Sequence, residues 1–132
     1  MKKIEVVAAI LRYKNKILCA QRAYNKLEYI SGKFEFPGGK IEEGESKKEA
    51  LKRELIEELE IKPKINDLYL TVNHKYPDFE LTMHSFLCDC KTSEVTLNEH
   101  IRYEWLGIDD LKKLDWAEAD IPIVDKLVKN GE

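Results

Sequence analysis

The 132-residue sequence has no excess of positive charge. Its 22 lysines and arginines stand against 25 aspartates and glutamates, for a net charge of −3. A protein that grips a nucleic-acid backbone usually carries a basic face, so nucleic acid is not expected as a partner. A polyanion can still bind a mildly acidic protein if a divalent metal lies between them. Cysteine is scarce too. Cys19, Cys88 and Cys90 are odd in number and lack paired spacing, which argues against a disulfide framework. Cys88 and Cys90 lie two apart in a strand-like run and read as small packing residues on one face. No apolar stretch approaches a membrane span. The start MKKIEVVAAIL is basic, but Glu5 interrupts it, Arg12 and Lys14 follow, and no small-residue cleavage site appears. It reads as a first strand rather than a signal peptide. Repeats, low-complexity tracts and linkers are also missing. Residues 1–132 are therefore expected to form one cytoplasmic domain, monomeric or homodimeric, that engages neither membrane nor nucleic acid.

What is present is an alternation of strand-like and helix-like segments. Ile4 to Tyr13 is rich in valine, isoleucine and alanine, Lys14-Asn15-Lys16 is a polar turn, and Ile17 to Gln21 returns as a strand. Lys33 to Phe36 is short and extended, and Pro37-Gly38-Gly39 is expected to end it. Ser46 to Leu59 is the clearest helix. Ile65 to His74 and Phe79 to Cys90 predict a second hairpin around Tyr76-Pro77-Asp78. Ile101 to Leu106 is a short strand, Asp109 to Leu114 a helical turn, and Ile121 to Val128 a helix. Without a regular βαβ rhythm, this order predicts a mixed sheet flanked by helices, an α/β (α+β) architecture.

The helix from Ser46 carries the strongest chemical signal. Ser46 followed by Glu49 forms a capping box. Three glycines punctuate the preceding loop, Gly38 to Glu45, where a ligand can approach the backbone closely. Glu54, Glu57 and Glu58 fall within an arc of roughly 100° on the helix. Like charges so spaced repel by roughly 0.2–0.5 kcal/mol per pair, and Arg53 at i,i+4 to Glu57 does not neutralise all three. Such a local conflict is where a functional site is expected. Hard oxygen ligands without nearby histidine or cysteine suit Mg²⁺ or Mn²⁺. Taken alone, the glutamates also suit a solvated acidic face, but that leaves the glycine loop unexplained.

The full string Gly39, Glu45, Arg53-Glu54-Leu55, Glu57-Glu58 and Ile61 resembles the Nudix box, G-x5-E-x7-R-E-U-x-E-E-x-G-U with U apolar. Eight of its nine fixed positions match. The approach Phe34-Glu35-Phe36-Pro37-Gly38-Gly39-Lys40, the C-terminal segment and the length resemble the MutT-like branch, so the likeness covers essentially the whole chain. Glu60 departs from the pattern, standing where the family has a glycine just past the helix end. If the left-handed conformation is kept there, a glutamate should cost roughly 1 kcal/mol.

The resemblance implies the Nudix fold, a mixed curved β-sheet sandwiched between helices. It also implies Mg²⁺-dependent hydrolysis of a nucleoside triphosphate to a nucleoside monophosphate and pyrophosphate. It makes Glu57 and Glu58 the principal metal ligands, and Glu54 a ligand or the base that activates water. The carbonyl of Gly38 and the carboxylate of Glu99 become further ligands. Arg53 would orient the glutamates, and Glu45 would support the loop or contact metal indirectly. Arg22 matches a phosphate-binding arginine, with Lys40 as a second phosphate contact. Phe36 suits either a place near the base or the core, while Phe79 and Asp120 fall where the base is read. Asp120 stands where 8-oxo-dGTP enzymes carry asparagine, and Phe79 where they carry an arginine. An ionised aspartate only accepts hydrogen bonds, which suits the cytosine N4 amino group. Asp120 before Ile121-Pro122 is also a good helix N-cap. The start MKKIEVVAAIL and Ala119-Asp120-Ile121-Pro122 resemble CTP pyrophosphohydrolase relatives. The alternatives are an 8-oxo-dGTP diphosphatase and a catalytically silent nucleotide-binding module of the same family.

Overall fold

The computed structural model describes residues 1–131. Its longest strands are β1 (Lys2–Tyr13) and β6 (Phe79–Asp89), which run parallel side by side from Lys2 against Phe79 to Arg12 against Asp89. On the far edge of β6 lies β5 (Lys64–Lys75), its antiparallel partner across the Tyr76-Pro77-Asp78 turn. The other edge of β1 is divided. Its end pairs with β2 (Lys16–Gln21), and its middle pairs with β4 (Gly38–Lys40). Beyond β2 lie β3 (Phe34–Glu35) and β7 (Arg102–Leu106). The mixed sheet is sandwiched between α1 (Lys47–Leu59) and α2 (Ile121–Asn130).

The period of two in β1 explains this sandwich. Val7, Ala9 and Leu11 face the α1 side, packed with Ala50, Leu51, Leu55 and Leu59. Ala8 and Ile10 face the α2 side, with Ile123, Val124 and Leu127. A strand buried on both faces has to be apolar at every position, as Val7 to Leu11 is. Burying each of these leucines or isoleucines is worth roughly 1.5–3 kcal/mol. The first hairpin turns on Lys14 and Asn15, both at positive φ (46° and 64°). Two such residues make the tight turn whose twist matches its strands.

The short strand β3 ends at Glu35, just before Pro37, as the sequence predicts to within one residue, but Gly38 and Gly39 then begin a separate strand, β4, which was not expected. A Cβ on Gly38 would lie 1.9 Å from the Val7 carbonyl oxygen, so the glycine serves close strand approach rather than a turn. The expected helices and hairpins fall close to where the sequence predicts them, including a 3-10 helix at Ile108–Lys113, whereas a 3-10 turn at Glu118–Asp120 was not expected. Among the described residues no helix is long and apolar enough to cross a membrane.

Candidate active site

Helix α1 starts as its sequence predicts. Ser46 accepts from the Glu49 N–H, and the Glu49 carboxylate accepts from the Ser46 N–H. Leu51, Leu55 and Leu59 recur every four residues and are fully buried. Glu54 and Glu58 each precede one of these leucines, so the stripe that seats the helix draws them under cover. Glu58 is 6% exposed. Glu57, on the outer flank, keeps a solvent-exposed side chain and does not line the cleft beside the helix.

The C-terminal end of α1 organises a second segment. Glu60 adopts the left-handed conformation (φ 55°, ψ 42°) that the glycine of the pattern would favour. The Thr96 and Asn98 N–H groups donate to the carbonyls of Leu59 and Glu58, and the Asn98 side chain donates to the Glu57 carbonyl at 2.8 Å. Carbonyls left open by the helix end are thus satisfied by the loop that carries Glu99. Asn98 was not legible as a functional residue in the sequence, because only the fold brings it to the helix.

Arg53 is the hub of the glycine loop. It donates to both oxygens of Glu45, to Glu54 Oε1 and to the Lys40 carbonyl, and lies 3.5 Å from Glu57. Glu45 also accepts from the Glu42 N–H. The Arg53 hydrogen bonds hold the Glu45 carboxyl below its usual range, helped by that N–H. Glu54 lies against Gly39, where a Cβ would come within 2.4 Å of its carboxyl carbon.

Glu54, Glu58 and Glu99 line one end of a cleft of about 600 Å³, together with Gly38, Gly39 and Lys40. Lys40 is exposed there. Burial raises Glu54, against the opposing effect of Arg53. Glu58 is pushed up to about 10 by burial, by its hydrogen bond with Glu99, and by the charges of Glu35, Glu54 and Glu99. Its Oε2 is buried without a hydrogen-bond partner. Among the described residues no three acidic or imidazole groups already form an ion cage. Even so, an orphaned buried carboxylate oxygen amid other carboxylates suits a hard divalent cation, whose charge would offset both the burial and the repulsion.

The other end of the cleft comes from distant parts of the chain. Arg22, just past β2, donates from Nη1 to Glu35 Oε1 at 2.8 Å. Burial works against its charge, but Glu35 offsets this and raises the guanidinium above its ordinary value. His100 Nε2 lies 2.9 Å from the other Glu35 oxygen. Phe36 is buried, stacked on Trp116 with ring centroids 4.7 Å apart, and still lines the cleft. Phe79 and Tyr76 form an aromatic wall, centroids 5.1 Å apart. Glu35, His100 and Tyr76 belong to this cleft although sequence reasoning did not single them out as site residues. The alternation Phe34-Glu35-Phe36 was a usable signal for Glu35, since a period of two turns it away from its apolar neighbours.

Asp120 requires a correction. It holds the N-cap position of α2, but its side chain makes no capping bond. Oδ1 instead accepts from the Phe36 N–H at 3.0 Å, across the cleft floor. The carboxyl is raised well above its ordinary value by burial and then by Glu35, while the Phe36 N–H and Arg22 oppose the shift.

Comparison with known proteins follows the same lines. A family model described as the NUDIX domain matches residues 1–127. The 8-oxo-dGTP diphosphatase of Escherichia coli (strain K12) is 34% identical over 128 residues, spanning 96% of this chain and 98% of that protein. The CTP pyrophosphohydrolase of the same organism is also 34% identical, over 125 residues, spanning 95% and 91%. Among solved structures, a MutT protein from methicillin-resistant Staphylococcus aureus 252 is 41% identical with a TM-score of 0.76, covering 99% of this chain and 100% of that one. The E. coli ORF135 protein is 32% identical with a TM-score of 0.84, covering 98% and 91%.

Proposed function

The chain belongs to the NUDIX family of hydrolases, which act on nucleotides, and from that premise we propose that it is a Mg²⁺-dependent nucleoside triphosphate pyrophosphohydrolase acting on cytidine nucleotides in the cytoplasm. One observation supports this above the rest. The orphaned carboxylate oxygen of Glu58 lies beside Glu54 and Glu99 in a cleft whose far end holds Arg22.

In this reading Glu57, Glu58, Glu99 and the Gly38 carbonyl would hold the metal, Mg²⁺ or Mn²⁺. The ion would neutralise phosphate charge and make bound water more acidic. Glu54 takes the proton of the attacking water. The water oxygen bonds to phosphorus, the anhydride P–O bond breaks, and nucleoside monophosphate and pyrophosphate separate. Arg53 keeps Glu54 aligned through a hydrogen bond and Glu57 through an ion pair. Arg22 and Lys40 receive phosphate oxygens, Arg22 by its fork of donors.

For the base, Phe36, Tyr76 and Phe79 supply apolar surface and Asp120 the polar contact. As a carboxylate, Asp120 accepts from cytosine N4. When protonated, as its burial favours, it can also donate to N3. The second reading, 8-oxo-dGTP, draws support from equal identity to the E. coli 8-oxo-dGTP diphosphatase. A silent nucleotide-binding module fits less well, since Glu54, Glu57 and Glu58 are all kept.

The test is pyrophosphate release by purified protein with Mg²⁺ across CTP, dCTP, 8-oxo-dGTP and the ordinary nucleotides. Fastest turnover is expected with a cytidine nucleotide. Absence of release from every nucleotide would defeat the enzyme reading. Glu57→Gln should abolish turnover with the fold intact, and full retained activity would sink the metal assignment.

A further inference from the structure

We propose that His100 is a positioning residue for phosphate binding, which acts through Glu35 to keep the Arg22 guanidinium open toward the cleft. The inference rests on the reading of Arg22 as a phosphate contact.

The His100 side chain is only 4% exposed and that of Glu35 17%, whereas Arg22 remains 36% exposed beside the cleft. Glu35 is shared: Oε1 accepts from Arg22 Nη1 at 2.8 Å and Oε2 faces His100 Nε2 at 2.9 Å. An ionised carboxylate only accepts, so the imidazole hydrogen sits on Nε2. His100 Nδ1 is then a buried atom without a partner, a cost that packing alone does not explain. The favoured geometry for arginine and a carboxylate is bidentate, with two parallel N–H bonds. Here His100 occupies the second oxygen, so Glu35 engages Arg22 at one point. Arg22 Nε is buried without a partner, so the exposed Nη side of the guanidinium is what is left for an oxyanion. With His100 truncated, Oε2 can swing to a second Arg22 N–H and close that fork.

The backbone around His100 is held independently of its side chain. Asn98 N–H donates to the Glu58 carbonyl and Ile101 N–H to the Gln21 carbonyl. Losing the imidazole should therefore leave the loop in place and act mainly on Arg22.

The experiment measures KM, kcat and thermal melting for His100→Ala, His100→Gln, Glu35→Gln and Arg22→Ala, and for the His100→Ala/Arg22→Ala double variant. Equilibrium binding of an α,β-imido nucleoside triphosphate serves as a readout free of turnover. His100→Ala should raise KM and the analogue's Kd about tenfold, with kcat within about twofold. His100→Gln, which retains a donor, should recover most of the loss. Glu35→Gln has a single acceptor oxygen and cannot close the Arg22 fork, so it should raise KM less than His100→Ala does. In the Arg22→Ala background, His100→Ala should add nothing. If Arg22→Ala leaves KM unchanged, the phosphate reading of Arg22 fails and the proposal falls with it. If Arg22→Ala raises KM but His100→Ala does not, or if the two effects simply add, the proposal alone is overturned. A loss in His100→Ala confined to melting temperature and kcat, without rescue by glutamine, overturns it equally.

Discussion

A Cβ placed on Gly39 would lie 2.4 Å from the carboxyl carbon of Glu54, so β4 and α1 meet with no room for a methyl group. The glycine is there for the carboxylate, not for backbone freedom. Gly39→Ala should push Glu54 aside while leaving the core intact. A misplacement of about 1 Å can cost on the order of a hundredfold in rate. We expect kcat to fall by about that factor with little change in melting temperature. Near-normal turnover would show that the contact is not needed.

Glu58 links pH, metal and stability. Its carboxyl is pushed up to about 10 in the fold from 4.5, first by burial. Between these values the folded protein binds a proton that the unfolded chain has released. The stabilising contribution is therefore complete below about pH 4.5 and is lost as the pH climbs toward 10. Glu58→Gln, neutral throughout, should remove that decline. Without metal it should melt higher than the parent at about pH 8, and the gap should close toward about pH 4.5. Added Mg²⁺ should raise the melting temperature of the parent and leave the variant nearly unmoved. Parallel pH profiles in calorimetry would contradict this account.

Glu60 sits at φ 55°, where a side chain is strained by roughly 1–2 kcal/mol. Glycine relieves the strain, at some cost in unfolded-chain entropy. Glu60→Gly should gain about 1 kcal/mol net, a rise of roughly 3 °C in melting temperature. Its activity should match the parent's, because the residue lies outside the cleft. Chemical denaturation would show the gain as a higher midpoint at unchanged slope.

Asp120→Asn keeps an oxygen for the Phe36 N–H but replaces a titratable acid by a fixed amide. The ratio of kcat/KM for dCTP over 8-oxo-dGTP should fall by about tenfold, the scale of one polar contact to a base. An unchanged ratio would remove Asp120 from base recognition.

Much of α1 could be read directly from the chain. The capping box and the left-handed exit at Glu60 are local relations within one or two helical turns, and each is present in the fold. The second hairpin was legible for a similar reason, since alternation with a period of two is visible in its strands. Asp120 takes the N-cap position but not the capping bond that local rules offered it, because those rules weigh only the N–H groups a few residues ahead. Its donor, the Phe36 N–H, is 84 positions away in sequence. Strand β4 at Gly38 was not foreseen, because the Val7 carbonyl that requires a glycine there belongs to another strand.

By itself, then, the sequence determined which carboxylates share a helix face and how that helix begins and ends, because such contacts lie within its own hydrogen-bonding and side-chain reach. It also determined the family to which the chain belongs. Only the tertiary structure decided that Glu58 is buried with an unpaired oxygen while Glu57 stays in water. Only it decided that Arg22, Glu35 and His100 form one chain of contacts. The reason is physical: burial and charge coupling depend on what the sheet stacks against each side chain, and those neighbours come from strands and loops that sequence spacing does not connect.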